Sequence, residues 1–159
     1  MRIPGIWGAF EAGVRAILGQ QVSVSAAIAL VTTMLENLGK EVEFNRDVKR
    51  RYFPVPEDVV DDPLEFFRMP QSRKDTIRRL AHHLIEHPYP EQIEHWLEIK
   101  GIGPWTVNYV KLRAIKDPDI WLAGDAGLKN ALKGLDRAPD LTASSPWRSY
   151  LTMQIWNQL

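Results

Sequence analysis

The sequence predicts an all-α protein, because apolar residues recur at helical spacing and no segment sustains the alternation typical of strands. Residues 72–86 show the clearest pattern, with Ile77, Leu80 and Leu84 on one side. A chain of 159 residues with 45% hydrophobic content can bury a core as one domain or two small lobes. We therefore expect helices throughout and no sheet.

The first two helices are marked by their end signals. One is expected over residues 10–19 and the next over 22–38. Ser23 or Ser25 suits the N-cap of the second helix, and Gly39 suits its end.

The following segment, residues 44–56, is polar, basic and interrupted by prolines, so we expect a loop. The remaining expected elements are short turns within 63–69 and helices over 72–86, 90–99, 104–114, 127–132 and 147–157. The last helix should bury the side that carries Tyr150, Leu151 and Ile155. Residues 116–119 favour chain breaks, and we expect one helical lobe over 1–116 and a second over 117–159.

Composition excludes several classes of protein. The chain has no cysteine, which excludes disulfides, a cysteine nucleophile, cysteine zinc sites and an iron–sulfur cluster. No signal peptide or apolar run of membrane length is visible, so we expect an intracellular, cytoplasmic protein without a membrane partner.

Charge gives a mixed signal. The formal net charge is +0, whereas a nucleic-acid-binding domain is usually basic. Two clusters depart from this balance, one within residues 46–51 and one that comprises Arg68, Arg73, Lys74, Arg78 and Arg79. Each is explained equally well as a solvated face or as a nucleic-acid contact.

A glycine hairpin joins two of the predicted helices. Gly101 and Gly103 bracket Ile102, and Pro104 suits the first position of the helix that follows. That helix begins with free N–H groups and a partial positive charge, so the turn can hold a phosphate. We assign this role to Gly101, Ile102, Gly103 and Trp105; an ordinary turn between helices is the alternative.

Asp125 follows Gly124 at a predicted helix start. Its simplest role is an N-cap, and a capping carboxylate lies at the positive end of the helix dipole. An ionised carboxylate can also stabilise a cationic sugar or accept a proton from water, so capping and catalysis are compatible.

These features resemble the helix-hairpin-helix DNA glycosylases, and most of all their bacterial alkylpurine (3-methyladenine) group. The matching segments are AFEAGVRAILGQ at residues 9–20, GIGPWTVNY at 101–109, Asp125, and PWRSY at 146–150. The resemblance runs from about residue 4 to residue 156. It implies the helix-hairpin-helix glycosylase fold, in which a cleft separates two helical lobes.

The resemblance also implies the site residues. Asp125 matches the catalytic aspartate, while Trp105, Tyr109 and Trp156 match the residues that line the base pocket. Indole faces attract cations, and an N3- or N7-alkylated purine is cationic. Core packing is the alternative role for each aromatic residue.

Two positions distinguish this chain within the family. Trp105 stands where related bifunctional enzymes have a lysine nucleophile, which implies hydrolysis by water without abasic-site lyase activity. Gln21 matches the wedge that fills the gap left by a flipped base. An apolar wedge is expected in some relatives, so glutamine could instead form a hydrogen bond with the base that has lost its pairing partner. An ordinary turn between helices explains this residue equally well.

The implied function is hydrolysis of the N-glycosidic bond of alkylated purines, such as 3-methyladenine and 7-methylguanine, in base excision repair. The expected partner is double-stranded DNA with damaged bases, bound by a monomer. Two alternatives stay open: a non-catalytic helix-hairpin-helix DNA-binding module, and a glycosylase for oxidised or deaminated bases. Relatives carry a β-rich domain upstream of the segment matching residue 4, so we expect this chain to be a fragment or a minimal form. Whether it is active without that domain stays open.

No cofactor is expected to be required. His83 and His87 have helical spacing, but no cysteine or well-placed carboxylate completes a zinc site, so we expect no side-chain metal site. The resemblance implies that Na⁺ or K⁺ can bind the backbone carbonyls of Leu97, Ile99 and Ile102.

Overall fold

A computed structural model describes residues 2–45, 48–88, 90–134 and 138–158, and within them helices dominate, as predicted. The elements in chain order are α1 (Ala9–Leu18), α2 (Val24–Leu38), β1 (Lys40–Asn45), β2 (Val48–Tyr52), α3 (Pro56–Val59), α4 (Gln71–Glu86), a 3-10 helix (Pro90–Glu98), α5 (Pro104–Val110) with a π-helical continuation (Lys111–Ile115), α6 (Ala126–Lys133) and α7 (Arg148–Trp156).

The end signals of the helices act where the sequence predicts them. Ser23, one of two candidate caps, accepts a hydrogen bond from the Ala26 N–H and starts α2. Gly39 ends the same helix. Asp125 is the N-cap of α6, so its simplest predicted role is confirmed.

The predictions of a loop over residues 44–56 and of no sheet are wrong. β1 and β2 form an antiparallel hairpin in which Glu41 faces Arg51. Arg51 also fixes the hairpin to α2, because its guanidinium donates to the carbonyls of Leu35 and Glu36 at the helix end. The strands are short and mostly charged, which hides the alternation that marks longer strands.

The turns predicted within residues 63–69 are only partly present. A single turn lies at 65–66, and the one-turn helix α3 lies earlier and begins at the last residue of the predicted loop. Pro56 occupies the start of α3, where a missing N–H costs nothing, and the Val55 N–H donates to the Asp58 carboxylate at 3.1 Å.

The apolar side chains form two clusters, which we call the large core and the small core. The large core is built mainly from α1, α4 and the segments that flank the glycine hairpin. The small core comprises Leu112, Ile120, Leu122, Leu128 and Ile155. Ile3, near the start of the chain, packs against the small core. The division into 1–116 and 117–159 stays a prediction.

The buried side of α7 differs from the predicted one. Its buried residues are Ser149, Thr152 and Ile155, whereas Tyr150 and Leu151 are half-buried. The prediction followed apolar residues, but two hydroxyl side chains face inward because they hydrogen-bond backbone groups of the neighbouring segment.

Candidate active site

The carboxylate of Asp125 is held by three N–H groups. Its Oδ1 accepts from the Leu128 backbone at 2.8 Å and from the Trp156 indole at 3.0 Å. Its Oδ2 accepts from the Trp105 indole at 3.2 Å. Because an ionised carboxylate offers about four lone-pair directions, about one remains, and it lies on Oδ2. The half-buried side chain therefore has a fixed orientation and one free acceptor direction.

Of the three aromatic residues predicted for the base pocket, Trp105 and Trp156 contact this carboxylate, and Tyr109 packs against Trp105. Trp105 and Tyr109 are neighbours on α5 and stack with 5.3 Å between ring centroids and 26° between planes. Trp156 is the last residue of α7 and approaches the carboxylate from that helix. Burial raises the pKa of the Tyr109 phenol, so this wall is neutral and can donate a hydrogen bond.

A cavity of about 270 Å³ lies beyond Tyr109, and sequence reasoning gave its charged residues no role. Arg15 and Glu11, one helical turn apart on α1, form an ion pair of 2.7 Å at its wall. Arg113 also lines it, and the buried Nε of Arg113 bonds no other described residue. The i,i+4 spacing of Glu11 and Arg15 was the available signal, but it gave no hint that their pair faces a pocket.

The glycine hairpin has the backbone that its sequence predicts. Gly101 has a φ of +101°, and a Cβ there would collide with the side chain of Thr76. Ile102 is buried, and its N–H donates to the Ile99 carbonyl at 3.0 Å, which closes the turn. Within the described residues the N–H groups of Gly103 and Trp105 meet no acceptor, so they are available to a ligand.

Gln21 lies in the turn between α1 and α2, with an exposed side chain and a φ of +58°. Its neighbour Gln20 donates to the Thr106 hydroxyl at 3.4 Å, which ties this turn to α5. Gln21 and Gly101 line the same groove, of about 370 Å³, so the predicted wedge and the predicted phosphate turn face each other.

A polar clasp that the sequence did not reveal joins α7 to the segment leading to Asp125. Arg148 donates through Nε and Nη2 to the two carboxylate oxygens of Asp119, each at 2.6 Å, and thereby lowers the pKa of Asp119 to about 2. Ser149 accepts from the Ile120 N–H at 2.9 Å and donates to the Asp117 carbonyl at 2.6 Å. The clasp fixes the start of the helix whose end carries Trp156. Asp119 and Arg148 are 29 positions apart, so local patterns could not pair them.

Among the described residues no group of three or more His, Asp or Glu side chains could hold a metal ion. The carbonyl site at Leu97, Ile99 and Ile102 stays a prediction. None of the described helices combines the length and the apolar character that crossing a membrane requires.

The chain is similar to known glycosylases in sequence and in fold. It is 34% identical over 171 residues to DNA-3-methyladenine glycosylase 2 of Escherichia coli, and the aligned region covers 98% of this chain and 60% of that protein. It is 28% identical over 187 residues to the DNA-3-methyladenine glycosylase of Bacillus subtilis, again over 60% of its length. The chain thus spans about three fifths of these curated relatives. No protein-family model matches the sequence.

Solved structures agree with the fold. The 3-methyladenine DNA glycosylase of Schizosaccharomyces pombe, in complex with abasic DNA, superimposes with a TM-score of 0.73 at 23% identity over 99% of this chain and 83% of that one. An 8-oxoguanine glycosylase/lyase of Clostridium acetobutylicum gives 0.80 at 14% identity over 99% of this chain and 61% of that one. The chain therefore has the fold of these DNA glycosylases. Its sequence is similar to proteins named DNA-3-methyladenine glycosylase.

Proposed function

We propose that this chain is a monofunctional DNA glycosylase that hydrolyses the N-glycosidic bond of alkylated purines in damaged double-stranded DNA. The observation that carries the proposal is the placement of Asp125. Its carboxylate is fixed between two indoles, that of Trp105 on the helix that starts directly after the glycine hairpin and that of Trp156 at the end of α7. The names of its curated relatives support the same lesion class.

The chemistry follows from the charge of the substrate. A purine alkylated at N3 or N7 is cationic, so the C1′–N bond can break with its electron pair leaving on a neutral base. The sugar becomes an oxocarbenium-like cation, which the Asp125 carboxylate stabilises. Water then adds at C1′, and Oδ2 of Asp125, with its free lone-pair direction, accepts the proton. The product is an abasic site.

The walls around Asp125 suit a cationic, flat ligand. Trp105, Tyr109 and Trp156 offer aromatic faces to a purine that has rotated out of the DNA stack. Gln21, exposed on its turn, would occupy the gap or bond the orphan base.

The hairpin would bind a DNA phosphate through its unsatisfied N–H groups. A matched pair of variants tests this role. At Gly103 an added Cβ meets nothing within 4 Å, so Gly103→Ala should fold normally and weaken binding of abasic-site DNA, because the methyl group stands where the phosphate approaches. Gly101→Ala should instead lower the stability of the fold by more than about 1–2 kcal/mol, the cost of its positive φ, because the methyl group also collides with the Thr76 side chain. Normal DNA affinity in Gly103→Ala would argue against the phosphate role.

Release of methylated bases from methylated duplex DNA tests the activity. The parent chain should release 3-methyladenine and 7-methylguanine, and Asp125→Asn should be slower by at least about 10²-fold, since the amide cannot stabilise the sugar cation. Asparagine is an equally good N-cap, so the fold should persist. The matched control is Asp61→Asn, which removes an exposed carboxylate and should behave as the parent.

The same assay separates the alternatives. DNA binding without base release by the parent would mean a non-catalytic module. Release from oxidised or uracil-containing duplex but not from methylated duplex would mean another lesion class. The names of the relatives favour neither outcome.

The absence of lyase activity has its own test. Trp105 offers no amine, so borohydride should trap no covalent protein–DNA adduct during turnover. A trapped adduct would disprove the monofunctional part of the proposal while leaving glycosylase activity intact.

We also propose that Na⁺ or K⁺ binds the carbonyls of Leu97, Ile99 and Ile102. Ile99 and Ile102 are buried beside the end of the 3-10 helix. Among the described residues no N–H donates to the carbonyls of Leu97 and Ile102, and the Ile99 carbonyl accepts only from the Ile102 N–H, which leaves it a second lone pair. Exchange of K⁺ for the larger tetramethylammonium ion at constant ionic strength should weaken DNA binding. Unchanged affinity would exclude a functional cation.

A further inference from the structure

We propose that α4 supplies a second phosphate-binding position for DNA, formed by Arg73 at the groove between Gln21 and the glycine hairpin. This inference rests on the proposed DNA-binding function and deepens it. Nothing in the sequence decided between a solvated face and a nucleic-acid contact for the basic cluster of residues 68–79. In the structure, some members of that cluster line the groove and others do not.

Only part of the cluster reaches the groove. Arg73 and Arg79 line it, together with Lys100 from the hairpin. Arg78 lies elsewhere, since its Nε donates to the Val60 carbonyl at 3.2 Å. Arg68 is exposed and is not among the residues that line the groove. The basic cluster is therefore not one uniform solvated face.

Within the groove, the side chains of Arg73 and of the exposed Lys100 bond no other described residue, and Arg73 is the half-buried one of the two. Arg79 already donates to the Lys100 carbonyl at 3.3 Å. Asp75, the acid of the groove, is bonded by the Gln71 amide at 2.9 Å and does not pair with Arg73. Among the described residues no hydrogen bond or ion pair involves the half-buried Arg73 side chain.

The remaining lining favours an anion. α4 begins here, and Ser72 in its first turn lines the groove, so the partial positive charge of the helix adds to three cations against one carboxylate. A groove of about 370 Å³ has room for a phosphodiester group and its sugar. It also opens between the two elements that would hold DNA, so a strand that contacts both of them passes Arg73. Arginine matches phosphate geometry better than other cations do.

The test measures affinity for a duplex that carries a tetrahydrofuran abasic-site analogue, as a function of salt concentration. Arg73→Gln should reduce the slope of log K against log [salt] by about 0.9, the value for one lost phosphate contact. Arg68→Gln makes the same change in net charge outside the groove and should leave the slope close to that of the parent. Equal slopes for Arg73→Gln and the parent would overturn the proposal.

A second measurement identifies the contacted group. Single phosphates on both strands are replaced by neutral methylphosphonates, and each duplex is measured with the parent and with Arg73→Gln. At one position the neutral linkage should weaken binding by the parent but not by the variant. If no position behaves so, or if Arg73→Gln only changes the dependence on the base opposite the lesion, the groove does not hold a phosphate. If the parent binds none of these duplexes, the proposed function itself fails.

Discussion

The two cores of this protein are stabilised in different ways. The large core consists of tightly buried aliphatic and aromatic side chains, such as Ile17, Leu80 and Trp96. The small core has few fully buried apolar side chains and is bounded by directional contacts, among them the polar clasp of Asp119, Arg148 and Ser149. Apolar burial is non-directional, whereas hydrogen bonds fix angles. The difference indicates that the large core provides stability and the small core provides geometry for Asp125.

The largest expected effect tests the first half of this contrast. Leu80→Ala empties a fully buried position on α4 and should lower the free energy of unfolding by about 2–5 kcal/mol. The rate of base release per folded molecule should not change, because α4 does not contact Asp125. Ile85→Ala, on the same helix but 40% exposed, is the control and should cost clearly less. Slower base release by molecules that are fully folded would mean that the large core also shapes the site.

Ser149→Ala tests the second half. It leaves the Ile120 N–H and the Asp117 carbonyl without their partner, which should cost about 1–3 kcal/mol of stability. Because α7 carries Trp156, kcat should also fall in the molecules that remain folded. Ser144→Ala removes one exposed hydrogen bond to the Asp140 carbonyl and should change neither quantity measurably. A loss of stability with unchanged kcat would show that the clasp does not position the site.

Trp156→Phe isolates the contact at the end of that helix. It keeps an aromatic face but removes the N–H that bonds Oδ1 of Asp125. A hydrogen bond to a charged group is worth about 1.5 kcal/mol or more, so kcat should fall roughly tenfold. The same loss should lower the thermal midpoint by about 3–6 °C. Trp147→Phe, at a 58% exposed indole, is the control. If both variants retain the parent rate, the indole N–H does not hold the carboxylate.

The smallest effect is the pH dependence of the clasp. Arg148 lowers the pKa of Asp119 from 3.8 to about 2, so the folded state favours the ionised carboxylate. Its contribution is fully present above pH 3.8 and is lost as the pH falls towards 2. Asp119→Asn should therefore lower the thermal midpoint between pH 5 and 7, and the difference from the parent should vanish near pH 2. A difference that persists at pH 2 would show that the ion pair is not its origin.

The sequence predicted the parts of the molecule that depend on local pattern. Helix caps at Ser23 and Asp125, and the positive φ at Gly101, follow from the chemistry of single residues and their neighbours. The hairpin of β1 and β2 was missed because its strands are short and mostly charged, and because the contact of Arg51 with the end of α2 joins distant positions.

The same limit applies to the candidate site. The resemblance brought together Asp125, Trp105, Tyr109 and Trp156, but no pattern in the sequence states which atoms meet. Both indole N–H groups can bond the carboxylate only because of the angle between α5 and α7. Ser149 was overlooked because a buried hydroxyl is indistinguishable from an exposed one until its backbone partners are known.

The bond from Trp105 to Oδ2 has an evolutionary consequence. A lysine at this position would bring an amine nucleophile, but it would also replace the rigid indole N–H that fixes Oδ2 by a flexible ammonium. A single substitution would thus add an amine nucleophile and loosen the orientation of the Asp125 carboxylate. We expect a sequence with lysine here to differ also at a second position that contacts the aspartate.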